Sequence, residues 1–112
     1  MKTFDDLEFK PHANGVHGDT QARLVLESGI TVSVVCGRSF YCDRHGSEEH
    51  GPTYEVAMFD STDSWIPLSE WDDVIGWQTK AEINTILEKV QGNAEEFVKD
   101  RKLSRLRREE DL

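Results

Sequence analysis

Between Ala22 and Cys36 apolar side chains fall on every second residue, with one interruption. Ala22, Leu24 and Leu26 alternate with Arg23 and Glu27, and Ile30, Val32, Val34 and Cys36 alternate with Thr31 and Ser33. A period of two puts this set on one face of a pleated strand pair, whereas a helix would scatter it around its circumference. Ser28-Gly29 lies between the two runs, where the tolerance of glycine for positive φ suits a tight turn. Residues 22–36 are therefore committed to an antiparallel hairpin, and the rest of the chain must bury its apolar face. Val25 and Val35 fall on the other face, which implies that part of that face is covered too.

Around this hairpin the pattern predicts a short strand from Phe4 to Lys10, a loop through Pro11, Gly15 and Gly18, and a longer loop over residues 37–53 interrupted by Phe40 and Tyr41. Tyr54 to Phe59 alternates again and forms a strand. Asp60 to Ser64 is turn chemistry, and Trp65-Ile66-Pro67-Leu68 reads as a short edge strand because Pro67 has no N–H for a central ladder. The sheet is expected to end there. Ser69 can cap one helical turn over Glu70 to Ile75, with Gly76 as its stop. Thr79 and Glu82 form a T-x-x-E capping box, followed by Ile83, Ile86, Leu87 and Val90 at helical spacing up to Gly92. Asn93 and Glu96 repeat the capping logic for a last helix with Ala94, Phe97 and Val98 in its first turn. Trp65, Trp71 and Trp77 are expected to help the helix cover the sheet. A chain of 112 residues has room for one domain. The predicted fold class is α+β, a small antiparallel β-meander of three to five strands with one or two C-terminal helices packed on one face. The domain spans residues 1–92, and residues 93–112 form a charged C-terminal helix or tail.

Charge narrows the function classes. The 22 Asp and Glu residues against 13 Lys and Arg give a net charge of −9, which argues against direct nucleic-acid binding because phosphate neutralisation drives that binding. No apolar run approaches the roughly 18 residues that span a bilayer, and the acidic start with Asp5 and Asp6 is unlike a signal peptide. A soluble, cytoplasmic protein without membrane partners is expected. Between Arg44 and Lys80 stand Glu48, Glu49, Glu55, Asp60, Asp63, Glu70, Asp72 and Asp73, with no Lys or Arg among them. Such a face either solubilises the chain or engages a basic protein surface. The candidate partner-binding residues are Asp60, Asp63, Trp65, Glu70, Trp71, Asp72 and Asp73, with tryptophan as the residue type enriched among binding hot spots. In the last segment, Arg101, Arg105 and Arg108 lie above Phe97 and Val98 at about 100° per residue. This stripe predicts a homo-oligomer in which Phe97 and Val98 are buried and the three arginines face acids of a neighbour.

Catalytic signatures are missing from the sequence: it has no G-x-S-x-G, no P-loop, no G-x-G-x-x-G and no H-E-x-x-H. A non-enzymatic protein without a cofactor is expected. One constellation supports an alternative, a zinc-stabilised binding module. Cys36, Cys42, His45 and His50 form C-x5-C-x2-H-x4-H, four ligand types within fifteen residues. The spacing departs from the C-x2–4-C knuckle of structural zinc sites, and Cys36 completes an apolar strand face where a free cysteine packs as a small hydrophobe.

The run Tyr54 to Asp60, the run Trp71-Asp72-Asp73-Val74-Ile75-Gly76-Trp77 and the capped helix from Thr79 together resemble small accessory proteins of tailed bacteriophages over residues 22–92. The resemblance transfers no active site. It implies a context, a viral protein made in a bacterial cytoplasm, where small acidic proteins bind and modulate or inhibit host proteins. The basic residues after Lys99 depart from a uniformly acidic mimic of nucleic acid.

Overall fold

A computed structural model describes residues 1–13, 18–69 and 71–110. Along the chain these form strands β1 (Lys10–Pro11), β2 (Thr20–Val25), β3 (Thr31–Cys36), β4 (Asp43–Ser47), β5 (Gly51–Phe59), β6 (Trp65–Ile66) and β7 (Val74–Gln78), then helices α1 (Lys80–Gly92) and α2 (Ala94–Glu110). The protein is an α+β fold with one antiparallel sheet, ordered β1-β2-β3-β5-β4, to which β6 and β7 add through β5. Its hairpin is as expected. Leu24 stands opposite Val32 and Ala22 opposite Val34, and Gly29 takes a φ of +89° in the turn.

β5 organises the sheet. Val56 pairs with Val34 of β3 and with Ile75 of β7, and Met58 pairs with Val32 of β3 and Ile66 of β6. A residue has only two lateral neighbours in a sheet, so β3 lies along one edge of β5 and β6 with β7 along the other. One face then carries Ala22, Leu24, Val32, Val34, Val56, Met58 and Ile66, all buried. Ile83, Leu87 and Val90 of α1 pack onto that face, joined by Phe97 from α2. Each such side chain taken from water contributes about 1.5–3 kcal/mol before chain entropy is counted.

Capping chemistry sets the helix starts. The Thr79 side chain accepts from the Glu82 N–H while the Glu82 carboxylate accepts from the Thr79 N–H at 3.1 Å. The same reciprocal pair forms at Thr3 and Asp6, so residues Phe4–Asp6 are a 3-10 turn rather than the start of a strand. The predicted strand from Phe4 to Lys10 shrinks to Lys10–Pro11. This N-terminal segment is tied to α1 by amides: the Lys2 N–H donates to Gln91 Oε1 at 2.8 Å and the Phe4 N–H to Asn84 Oδ1 at 2.8 Å. The rings of Phe4, Phe9 and Tyr54 cluster beneath it.

The structure departs from the sequence pattern in three further places. Residues 43–47 are a strand, not loop, in a hairpin with β5 whose close approach needs glycine. Gly46 has φ +60°, and a Cβ there would collide with the Gly51 carbonyl. The Ser69 cap is real, since its Oγ accepts from the Trp71 and Asp72 N–H groups at 3.3 and 2.9 Å. Among the described residues no helix follows it, because Val74–Gln78 pairs with β5 as β7 and extends the sheet past its predicted end. The three tryptophans stay outside the core, with Trp65, Trp71 and Trp77 exposed at 52, 72 and 59%.

Met58 has no solvent exposure and sits where three strands meet under α1. Truncation by Met58→Ala should cost about 2–5 kcal/mol. Urea unfolding should show the midpoint falling at unchanged slope; a midpoint left in place would mean that this layer is not the core.

Candidate functional site: the second sheet face and its acidic border

Helices cover one face of the sheet; no helix or strand among the described residues covers the other. Antiparallel sheets commonly turn a polar face to water. Here Gln21, Arg23 and Val25 of β2, Thr31, Ser33 and Val35 of β3, Glu55, Ala57 and Phe59 of β5, Trp65 of β6 and Val74 of β7 share the outer face by register. Ser33 stands opposite Ala57, and these small side chains leave a depression of about 370 Å³ between taller neighbours. One wall is the Phe59–Trp65 ring pair at 4.5 Å, with the Arg23 guanidinium 5.5 Å from the Phe59 centroid. Phe40 and His12, whose rings lie 5.3 Å apart, line the depression from the adjoining loops. The floor is held by the Gln21 amide, which donates to Ser33 Oγ at 2.9 Å.

Glu55 is the carboxylate of this face. Burial raises its pKa above the ordinary range, the Tyr41 N–H hydrogen bond opposes that, and the nearby charge of Asp72 adds to the rise. Tyr41 arrives there because residues 37–42 reach across to β7, where the Trp77 N–H donates to the Tyr41 carbonyl at 2.9 Å. The register slips at this point, so that Gly76 and Trp77 lie between the pairs Val56–Ile75 and Tyr54–Gln78. Trp77 takes φ +51°, an uncommon conformation for a bulky residue and one that turns its ring onto Tyr41, 5.4 Å away.

The predicted acidic set divides. Asp60 Oδ1 accepts from the Thr62 N–H and Oγ–H and from the Ser64 N–H, so its charge shapes a turn and its pKa is lowered by those bonds. Asp63 lies in the same turn with φ +61° and leads into Trp65. Asp72 Oδ1 accepts from the Asp73 N–H at 2.7 Å and borders Glu55. Trp65 thus stands on the second face and the charge of Asp72 is felt at Glu55, whereas Trp71 and Asp73 meet α2. Glu70 lies outside the described residues. Sequence reasoning placed Glu55 in the acidic run but did not assign Gln21, Arg23, Ser33 or Phe59 to a site; the signal available was Val35 on the outward face, which is buried.

Within the single chain the arginine stripe already has contacts of its own. α2 leaves α1 after a single residue, Asn93, and turns back along the body to pack on α1 and β6. Phe97 is buried in its own chain, with Val98 packed against the same core. Arg101 lies 4.7 Å over the Phe97 ring, Arg105 reaches Asp73 Oδ1 and the Ser69 carbonyl at 3.2 Å each, and Arg108 lies 4.7 Å over the Trp71 ring. One acid of the same chain, Asp73, meets the stripe through Arg105, while Arg101 and Arg108 lie over aromatic rings.

The four candidate zinc ligands stand apart in role. Cys36 is buried, donates to the Thr53 carbonyl at 3.7 Å, and has its pKa pushed up to about 12, by burial first and then by Cys42. Cys42 Sγ accepts from the Gly37 N–H at 3.1 Å. His45 is exposed on β4, and the ring of His50 bonds the Gly51 carbonyl at 2.8 Å. Among the described residues, no three His, Cys, Asp or Glu side chains gather as a metal site, and no helix is long and apolar enough to cross a membrane.

Comparison of the chain with protein-family models, with curated proteins and with solved structures finds no match.

A raised carboxyl pKa means that the folded state holds the proton more tightly, so stability falls as pH rises from the ordinary glutamate value toward the folded one. Glu55→Gln should therefore stabilise the protein at pH 7 by less than about 1 kcal/mol, given its partial exposure to water. Below the ordinary value of 4.5 the gain should vanish. Melting curves across that range check the sign; a variant less stable at neutral pH would show that the carboxylate is favoured on this face.

Proposed function

We propose that the protein is a non-enzymatic binding protein whose second sheet face docks a partner protein carrying basic side chains. The observation that supports this reading is the composition of that face. Phe59, Trp65, Val25 and Val74 stand on it in place of the polar residues that a solvated sheet face would carry. Trp65 is half-exposed and held by Phe59 at 4.5 Å, which limits the conformational entropy lost when it enters a partner's pocket. Glu55 and Asp72 at the border supply carboxylates to basic groups of the partner, and the net charge of −9 favours approach to such a surface. In the setting that the phage resemblance implies, the partner is a host protein in the bacterial cytoplasm, and binding modulates or inhibits it.

The test is capture from bacterial lysate on the immobilised full chain at low and high salt. A partner should be retained, should weaken as salt rises, and should be lost with Trp65→Ala at unchanged fold, with a drop of about tenfold or more for a hot-spot tryptophan. Leu103→Ala, on the far side of α2, serves as the control. Retention that ignores Trp65 would remove the sheet face from the reading. Asp60 is unsuitable for charge reversal because its carboxylate holds a turn.

A further inference from the structure

Outside the sheet face, one segment already grips arginine. Ser69 offers its carbonyl, Asp73 a half-exposed carboxylate and Trp71 a ring face, and they receive Arg105 and Arg108 of α2. The segment is shaped from within. Ser69 Oγ fixes the Trp71 and Asp72 N–H groups, and Asp72 Oδ1 fixes the Asp73 N–H, so the backbone that carries carbonyl, ring and carboxylate is braced by bonds within the segment. Guanidinium matches this set better than ammonium does, being planar for the ring and forked for two oxygens. A single nitrogen, Arg105 Nη2, serves both oxygens.

The fit of α2 is nevertheless poor. Arg101, Arg105 and Arg108 each bury their Nε–H without a hydrogen-bond partner among the described residues. A buried donor left unpaired costs more than a paired one returns, so the three orphaned groups weigh against the docked position. On the opposite side of α2, Leu103 and Leu106 are only partly covered, beside Ser28 and Ile30. Phe97 anchors the first turn in the core, and the C-terminal half is held chiefly through the arginine stripe.

We propose that Ser69, Trp71 and Asp73 form an arginine-reading surface that α2 occupies in its own chain, and that a partner presenting arginines along one helix face takes this surface by displacing the C-terminal half of α2. This rests on the reading of the protein as a binder of basic partners and names the chemistry of the partner. A helix that satisfies the Nε–H groups as well as the Nη groups binds better than α2 does and needs only to overcome the high local concentration of a tethered competitor. Release swings residues beyond Phe97 away and leaves the sheet core in place.

The probe is a fluorescein-labelled peptide of residues Ala94–Glu110, titrated into the full-length chain and into full-length Arg105→Gln/Arg108→Gln, with anisotropy as the readout. The wild type should bind it weakly and the released variant about tenfold more tightly or better, because the tethered competitor is gone. Adding Asp73→Asn or Trp71→Ala to the released variant should abolish the gain. Hydrogen exchange should rise over residues 99–110 with α1 unchanged, which shows that the variant is folded and α2 free; Arg105→Lys/Arg108→Lys, which keeps the charge, should give a smaller gain. Equal affinity for wild type and released variant, or a gain that survives Asp73→Asn, overturns the proposal. A wild-type dimer that disappears on release would assign the surface to the α2 of a second copy and overturn the separate partner. Trp65→Ala should leave peptide affinity untouched, so failure of the sheet-face reading and failure of this one appear in different measurements.

Discussion

The fold depends on the two-sided pairing of β5. The nine residues Gly51–Phe59 hydrogen-bond to β3, β4, β6 and β7, so four strands owe their places to one. The consequence is steric. Val56 and Met58 lie at the centre of the helix-covered face with essentially no exposure, and α1 can dock because strands on both sides of β5 have been brought level with them. On the reverse face the same strand presents Glu55, Ala57 and Phe59, so one set of backbone bonds positions the core and the candidate site together. A change at Ala57 toward a larger side chain would fill the depression on one face without touching the core on the other.

The features legible in the sequence were local. The alternation over residues 22–36 and the Thr79–Glu82 box each specify their structure within a few residues of chain, and both form as expected. The sequence also contains a true cap at Ser69, yet a cap states only that N–H groups are satisfied and does not commit the next residues to a helix. Pairing with β5, fifteen or more residues away, converts Val74–Gln78 to strand. β4 was unreadable for a related reason: Asp43–Ser47 has no apolar alternation, and its hairpin depends on Gly46 approaching Gly51 backbone to backbone. The tryptophans misled through size. Inner positions of the sheet are taken by Val, Leu, Ile and Met, which pack under a helix at normal spacing, and a Trp at these sites would overfill the layer.

The charge pattern shows why net charge is a poor guide to a free acidic surface. Asp60 is consumed by three donors in its own turn, Asp72 by two backbone N–H groups beside it, and Asp73 by Arg105. A carboxylate that already accepts such bonds offers a partner less than its formal charge suggests, because the partner must compete with or share an existing bond. The geometry of the sheet therefore weighs more than the count of acids in locating the site. The Phe59–Trp65 ring pair and the small Ala57 and Ser33 beside it shape that face, and Glu55 stands on it with its pKa raised by burial.

The helical period of Arg101, Arg105 and Arg108 was readable; their destination depended on the direction that α2 takes. A helix continuing from α1 would carry the stripe beyond the body, whereas the break at Asn93 folds it back. Asn93 achieves this by capping the second helix as the first one ends: its Oδ1 accepts from the Glu96 N–H at 3.1 Å and its amide donates to Glu96 at 3.2 Å. Extended backbone at this one residue, with φ −157° and ψ 91°, redirects seventeen residues. The basic stripe then meets Trp71 and Asp73 instead of solvent, and the most charged segment of the chain becomes a contact within it. Three buried Nε–H groups without a partner among the described residues show that the meeting is tolerated rather than optimised, and this weakens the hold on the C-terminal half of α2.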